Sequence, residues 1–157
     1  MSDFKKLHVW QKAHALSLAV DRVTKKMRDS RYSSLRSQIY RAATSIPANI
    51  AEGRRQESEK EFGRFLRYAL NSASELEYHI ILARDTKAIP EDECVSLLDQ
   101  TITSRKMLYA LLKRLASDGS KRTTPIGRPA GGRGRAGRGL RARSCSVAVV
   151  VSATAPA

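Results

Sequence analysis

Apolar residues recur at helical spacing in four stretches of the chain. The first stretch keeps steps of three and four residues over about five turns, which predicts an amphipathic helix. Its apolar face consists of Val9, Ala13, Leu16, Val20, Val23 and Met27. The second stretch, 35–53, has the same repeat, with Ser33 or Ser34 as the predicted N-cap. Because Pro47 lacks an amide hydrogen and crowds the carbonyl of Ala43, a kink or a local break is predicted there.

The third and fourth helices have recognisable starts. A hydroxyl at Ser58 and a carboxylate at Glu61 form a capping-box pattern, after which the apolar repeat runs on to Ala83. The fourth helix is predicted to begin at Pro90, which loses no hydrogen bond in a first turn, and to end at Gly119. Four long helices with short connections and no strand pattern before residue 120 predict an all-α protein. Its architecture should be an antiparallel up-and-down four-helix bundle.

The apolar faces of the first and fourth helices are wider than one bundle needs. Beyond the seam itself, the additional apolar residues are Leu7, Trp10, Leu18 and Ala19 in the first helix and Leu97, Met107 and Tyr109 in the fourth. A second apolar surface of this kind usually marks an oligomer interface. We therefore expect self-association, although this pattern alone would serve a dimer or a larger ring equally well.

Charge divides the 157 residues into two regions. Residues 1–120 contain 21 Lys and Arg against all 15 Asp and Glu, whereas residues 121–157 contain eight Lys and Arg and no acid. The second region also holds six of the nine glycines and three of the five prolines, so it cannot form an apolar core and is predicted to be disordered. The predicted domains are a bundle over 1–119 and a basic Arg/Gly-rich tail over 120–157.

The basic balance favours polyanionic partners, with RNA or DNA first and an anionic membrane surface second. The tail resembles disordered RNA-binding segments, but its composition also suits a shifted reading frame, and both interpretations stay open. Cys94 and Cys145 form no pair pattern, which indicates a reducing compartment. No apolar run is long enough to span a membrane, and the start does not resemble a signal peptide. We expect a cytoplasmic protein.

A row of cations is the first candidate binding surface. Lys60, Arg64 and Arg67 share one side of the third helix, and Arg54 and Arg55 lie in the connection before it. Phosphate groups are bound by cations presented together, without sequence preference. The alternative is a solvated surface that nearby glutamates partly neutralise.

A polar stripe along the second helix is the other candidate. Arg41, Asn49 and Glu52 share this stripe, and Glu75 is the expected partner on the third helix. Paired carboxylates could catalyse proton transfer or hold a metal, but the Glu-x-x-His motifs of carboxylate-bridged bundles are missing from the first, second and fourth helices. We interpret the stripe as a structural polar network, with no catalytic residue, metal or cofactor.

Three separated blocks resemble a known family. They are Phe4–Ala13, the stretch from Gln38 to Gly53, and Ser72–Glu77. In this order they resemble the bacterial four-helix bundle family that includes proteins encoded in intervening sequences of 23S ribosomal RNA genes. That family is similar to the accessory variability protein of diversity-generating retroelements. The resemblance covers about residues 3–116 and leaves the tail out.

The resemblance implies a homo-oligomeric ring, commonly a pentamer, with a basic surface suspected of binding nucleic acid. For the retroelement relatives it also implies a reverse-transcriptase partner. Our main hypothesis is a non-enzymatic bundle that binds RNA or DNA through its basic surface. The alternative is a structural or adaptor protein whose second apolar face binds a protein partner.

Overall fold

The computed structural model describes residues 3–121, with side chains as far as residue 117. Four α-helices account for most of this part: α1 His8–Thr24, α2 Ser33–Arg54, α3 Glu59–Asp85 and α4 Glu91–Lys121. Two short 3₁₀ turns, Phe4–Lys6 and Ser30–Tyr32, precede α1 and α2, and the described residues contain no strand. The predicted disordered tail lies outside the described residues from 122 onwards.

The helices form the predicted antiparallel up-and-down bundle. Each helix packs against its two neighbours in a closed cycle, and neither diagonal pair packs together within the described residues. The register places Ser45 on α2 opposite Ser72 on α3, and Arg41 nearer Glu75. Short connections between consecutive helices leave this antiparallel arrangement as the one that buries all four apolar faces.

The core lies along the centre of the bundle and uses the predicted apolar positions. Its largest fully buried aliphatic side chains come from all four helices. They are Leu16, Val20, Ile39, Ile46, Ile50, Leu66, Leu76, Ile80, Leu97 and Leu108. Burying a side chain of this size stabilises a fold by roughly 1.5–3 kcal/mol, so the sum over these positions supplies most of the driving force for folding.

The first helix is shorter than its apolar pattern. α1 ends at Thr24, yet Met27 is still buried. Beyond the helix, the amide of Met27 donates to the carbonyl of Thr24 at 3.1 Å, so the chain makes one further turn that returns the Met27 side chain to the core. The apolar spacing therefore predicts the burial of Met27 correctly but places the end of α1 too late.

The serine caps predicted for α2 are not used. Asp29 caps the preceding 3₁₀ turn by accepting the Arg31 amide, and α2 follows directly with Tyr32 in its capping position. The amide of Ser33 already donates to the carbonyl of Ser30. Since the 3₁₀ turn leads straight into the helix, no serine hydroxyl is needed at this end.

At α3, half of the predicted capping box is present. The hydroxyl of Ser58 accepts the amide of Glu61 at 3.1 Å, which confirms the start of the helix. The Glu61 carboxylate forms an ion pair with Arg64 at 2.9 Å instead of the predicted return bond to the Ser58 amide.

Neither the proline in α2 nor the glycine near the end of α4 interrupts its helix. α2 is continuous through the buried Pro47, so the local break that the sequence allowed does not occur. α4 continues through Gly119 to Lys121, where the described residues end, so the predicted stop at Gly119 is wrong. Within residues 3–121, no helix carries an apolar stretch sufficient to cross a bilayer.

The wide apolar faces of α1 and α4 are partly used within a single chain. Ala19 and Leu97 are buried in the core, and Trp10 packs against the ring of Phe4 at 5.0 Å. Leu18 on α1 and Tyr109 on α4 remain exposed. A single bundle thus explains some of the additional apolar residues and leaves others on the surface.

Candidate nucleic-acid interface

The first turns of α3 position three of the predicted cations. Because Ser58 fixes the start of the helix, the residues that follow are held in helical geometry from Glu59 onwards. Lys60, Arg64 and Arg67 then succeed one another at steps of four and three, which places all three exposed side chains on one side of α3. We call these three residues the α3 cation row.

Two members of the α3 cation row have no acidic partner among the side chains that the structure describes. Lys60 and Arg67 are exposed, and neither forms an ion pair within residues 3–117. Both line a shallow hollow of about 230 Å³ between α3 and α4, which Glu59, Leu112 and Leu115 also line. Their charges are available to a ligand, and the apolar wall offers contact to something other than phosphate.

The third member of the row is partly neutralised. Arg64 pairs with Glu61 at 2.9 Å and its guanidinium lies 5.6 Å from the centre of the Phe65 ring. Both side chains of the pair are more than one-third exposed. An exposed ion pair contributes only about 0–1 kcal/mol, so a phosphate could displace the carboxylate at little cost.

The remaining two predicted cations do not join the row. Arg54 is half-buried at the end of α2, with its guanidinium 5.5 Å from the centre of the Phe62 ring and its Nε buried without a hydrogen-bond partner. Arg55 lines a different hollow of about 610 Å³ with Phe4 and Glu52. Arg54 therefore packs against a ring of α3 and Arg55 lies beside another hollow, so neither joins the three cations of the row.

The polar stripe on α2 is divided into two groups. Ser45 and Ser72 share a hydrogen bond of 2.9 Å between α2 and α3, and the Asn49 amide donates to the carbonyl and hydroxyl of Ser45 at 2.8 and 3.0 Å. All three side chains are partly buried. This group is the part of the stripe that links α2 to α3 by hydrogen bonds.

The second group is more exposed and more loosely held. Glu75 lies 3.7 Å from Arg41 and 3.6 Å from His79, while Arg41 also donates to Gln38 at 2.7 Å. The Nδ1 atom of His79 is buried and has no hydrogen-bond partner within residues 3–117. These separations are long for ion pairs, so their contribution to the register is small.

Glu52 does not lie near Glu75, its predicted neighbour in the polar network. It lies about 16 Å further along α2 than Arg41, at 1.5 Å per residue, beside Gly53. Glu52 is exposed and lines the hollow that also contains Phe4 and Arg55. The Glu52 carboxylate makes no hydrogen bond or ion pair within residues 3–117.

Neither carboxylate pairing nor thiol chemistry is supported by the described side chains. Within residues 3–117, no three His, Cys, Asp or Glu side chains come together as a metal site would require. The pKa of the Cys94 thiol is raised chiefly by burial; the charge of Arg84 opposes this, and that of Glu93 adds to it. The thiol therefore stays protonated, which is the opposite of an activated nucleophile.

Comparison with known proteins supports the fold assignment. A family model described as the 23S rRNA-intervening sequence protein matches residues 5–110. The chain is also similar to a crystal structure of a protein with unknown function from the S23 ribosomal protein family of Bacteroides thetaiotaomicron. That similarity has a TM-score of 0.63 at 27% identity and covers 67% of this chain and 98% of the other. No curated protein matches.

The family match spans all of α1, α2 and α3 and most of α4, which is well over half of the chain. Neither the family description nor the structural neighbour names an enzymatic activity. The chain belongs to the 23S rRNA-intervening sequence protein family.

Proposed function

We propose that this protein is a non-enzymatic helical bundle that binds RNA or DNA through the α3 cation row, without sequence specificity. The proposal rests on one observation: Lys60 and Arg67 are exposed on one side of α3 and carry no ion pair within residues 3–117. A family named after an intervening sequence of ribosomal RNA is consistent with an RNA partner. The proposed location is the cytoplasm, on the grounds of cysteine usage.

The cations act by displacing counterions from phosphates. Each phosphate that a Lys or Arg neutralises adds about 0.7 to the slope of log K against log salt for a single strand and about 0.9 for a duplex. Lys60 and Arg67 would contribute first, since they give up no protein partner on binding. Arg64 would contribute after releasing Glu61.

The test is fluorescence anisotropy with labelled RNA and DNA over a series of salt concentrations. The full chain is used, with the eight cations of residues 121–157 replaced by glutamine so that the tail does not dominate binding. In this background, Lys60→Gln with Arg67→Gln should weaken binding and lower the salt slope by about 1.4 for a single strand.

A matched control changes net charge equally. Lys5→Gln with Lys12→Gln removes two exposed cations near the start of the chain, neither of which forms an ion pair within residues 3–117. These substitutions should leave the salt slope nearly unchanged. Equal effects of the two pairs would mean that net charge acts and not a surface on α3; no binding at low salt by the tail-neutral protein would refute the proposal.

We propose self-association as part of the same function. Val95, Ile102 and Tyr109 recur at seven-residue spacing along α4 and are 57%, 37% and 64% exposed. A seven-residue repeat of apolar side chains keeps one stripe of a helix facing a neighbour. A ring of five subunits is the assembly that the sequence resemblance leads us to expect.

The same exposed stripe supports a second candidate function, an adaptor that binds a protein partner. Ile102 and Tyr109 line a hollow of about 430 Å³ with Leu70. In this case the stripe would bind a protein such as a reverse transcriptase, and the cations would only maintain solubility. Co-purification, together with a reverse-transcriptase gene nearby, would favour the adaptor; a position inside a ribosomal RNA gene would favour the intervening-sequence type.

A further inference from the structure

The α3 cation row continues along the helix as an uncharged row. From Lys60 the positions Arg64, Arg67, Asn71, Ser74 and Tyr78 follow at steps of four, three, four, three and four, and all six side chains are exposed. Tyr68 lies beside the row, four residues after Arg64. We call these seven residues the α3 outer face, which extends over about 27 Å at 1.5 Å per residue.

The two tyrosines of this face present aromatic surface to solvent. Tyr68 is 45% exposed and Tyr78 is 60% exposed. Tyr68 meets the ring of Phe65 at its edge, with the ring centres 5.8 Å apart and the planes at 87°, so this contact does not stack the two rings face to face. Neither hydroxyl makes a hydrogen bond within residues 3–117.

Three of the acids near the α3 outer face have basic neighbours. Glu61 pairs with Arg64, Glu75 is shared by Arg41 and His79, and Glu77 pairs with Arg105 on α4. None of the seven residues of the α3 outer face is itself acidic. The face therefore combines cations at one end, a polar centre and aromatic rings beside and beyond it.

We propose that the α3 outer face binds single-stranded nucleic acid in preference to duplex, with Lys60, Arg64 and Arg67 on phosphates and Tyr68 and Tyr78 stacked on bases. This inference rests on the proposed function. Asn71, which lies between the two tyrosines along α3, can hydrogen-bond to a base edge or a sugar.

The preference follows from which base surfaces are accessible. In a duplex the faces of the bases stack on one another, so a side chain in a groove contacts only their edges. In a single strand the bases can unstack and lie on aromatic side chains, and positively charged grooves with such rings bind single strands with little sequence preference. Cations alone would serve either form, so the exposed tyrosines decide between them.

The test compares three labelled probes of equal length: single-stranded RNA, single-stranded DNA and duplex RNA. The protein is the full chain with the neutralised tail. Tyr68→Ala with Tyr78→Ala should weaken single-strand binding at least tenfold and leave duplex binding nearly unchanged, because each base stack is lost only from the single strand. The corresponding Phe substitutions keep the rings and should retain nearly all affinity.

Tyr40→Ala is the matched control, because Tyr40 is 46% exposed but lies on α2. It should have no effect on any probe. The inference fails if the Tyr68 and Tyr78 alanine substitutions leave single-strand binding unchanged, or if duplex RNA binds as tightly as the single strand. In that event, the proposed function still stands if Lys60→Gln with Arg67→Gln lowers the salt slope, and both fail if it does not.

A second measurement needs no substitution. Single-stranded RNA containing 4-thiouracil is irradiated in complex with the unaltered full chain, and crosslinked peptides are identified by mass spectrometry. Crosslinks in the peptides that contain Tyr68 or Tyr78 are expected. Crosslinks confined to residues 122–157 would overturn the assignment to α3.

Discussion

The hydroxyl of Ser17 on α1 donates to the carbonyl of Ala43 on α2 at 2.8 Å. Ala43 is the residue whose carbonyl would accept the amide of position 47 in an ordinary helix, and Pro47 has no amide hydrogen. The same hydroxyl is 3.0 Å from the carbonyl of Ala13 on its own helix. Ser17 thus replaces, from the neighbouring helix, the donor that the proline removes.

This relationship predicts that the two positions are energetically coupled. Ser17→Ala leaves a buried carbonyl without its donor and should lower the free energy of unfolding by about 1–3 kcal/mol. In a Pro47→Ala background, the restored amide can serve Ala43, so the same serine substitution should cost about 1 kcal/mol less. Urea denaturation of the unaltered protein, the two single variants and the double variant measures this difference.

Ser74→Ala is the control, since the Ser74 hydroxyl bonds only to the Leu70 carbonyl on its own helix and is exposed. Its effect should stay within about 0.5 kcal/mol. Strict additivity of Ser17→Ala and Pro47→Ala would show that the hydroxyl does not compensate for the proline.

Close packing of α2 against α3 predicts opposite outcomes for two glycines. A Cβ at Gly53 would lie 2.5 Å from the Cβ of Phe65 and 3.0 Å from Cδ2 of Phe62, so the helices would have to move apart. Gly53→Ala should therefore destabilise the bundle by about 1–3 kcal/mol. At Gly63 the nearest atom, Cδ1 of Leu112, is 3.6 Å away, which is an ordinary contact.

Gly63→Ala should stabilise the protein by about 0.5–1 kcal/mol, because alanine is the better helix former. Thermal denaturation followed by circular dichroism compares the two variants. The same sign of effect at both positions would contradict the packing described for Gly53.

The buried thiol predicts slow modification in the native state. Cys94 is fully buried, and burial raises its pKa, so little thiolate is present or accessible. In the Cys145→Ser protein, where Cys94 is the remaining cysteine, a thiol reagent should react rapidly only after denaturation. Rapid reaction of the folded protein would contradict the burial of this residue.

The raised pKa also fixes the direction of a pH effect. The folded state holds the thiol proton to higher pH than the unfolded state, in which the thiol has a pKa of about 8.5. The contribution of this group is therefore complete below that pH and is lost as pH rises through the folded pKa. Between pH 7 and pH 10, the free energy of unfolding should fall less for Cys94→Ala than for the protein that keeps Cys94.

The sequence predicted the bundle because apolar spacing is repeated in every helix and specifies which side is buried. Met27 is buried as predicted, but its spacing did not locate the end of α1, since one turn beyond a helix can reach the core as well. The carbonyl of Ala43, which Pro47 leaves without its usual donor, accepts a hydrogen bond from Ser17, 30 residues from the proline in the sequence. Local pattern contains no such information.

The candidate surface was predicted in part for a similar reason. The spacing of Lys60, Arg64 and Arg67 fixes their common side, but the position of Arg54 over Phe62 depends on how α2 meets α3. Neither Tyr68 nor Tyr78 is part of the surface predicted from the sequence, although the steps of four and three from Lys60 reach Tyr78. The sequence does not show which tyrosines are exposed, because a tyrosine at helical spacing is as compatible with a core position as with the surface.

Native mass spectrometry of the tail-neutral full chain, with and without single-stranded RNA, tests the central claim most directly. Our account predicts a closed oligomer, of five subunits by family resemblance, that gains the mass of RNA at low salt and loses it at high salt. Lys60→Gln with Arg67→Gln should keep the oligomer and gain much less RNA. A bundle that gains no RNA at low salt, or gains it equally after these two substitutions, would contradict binding through α3.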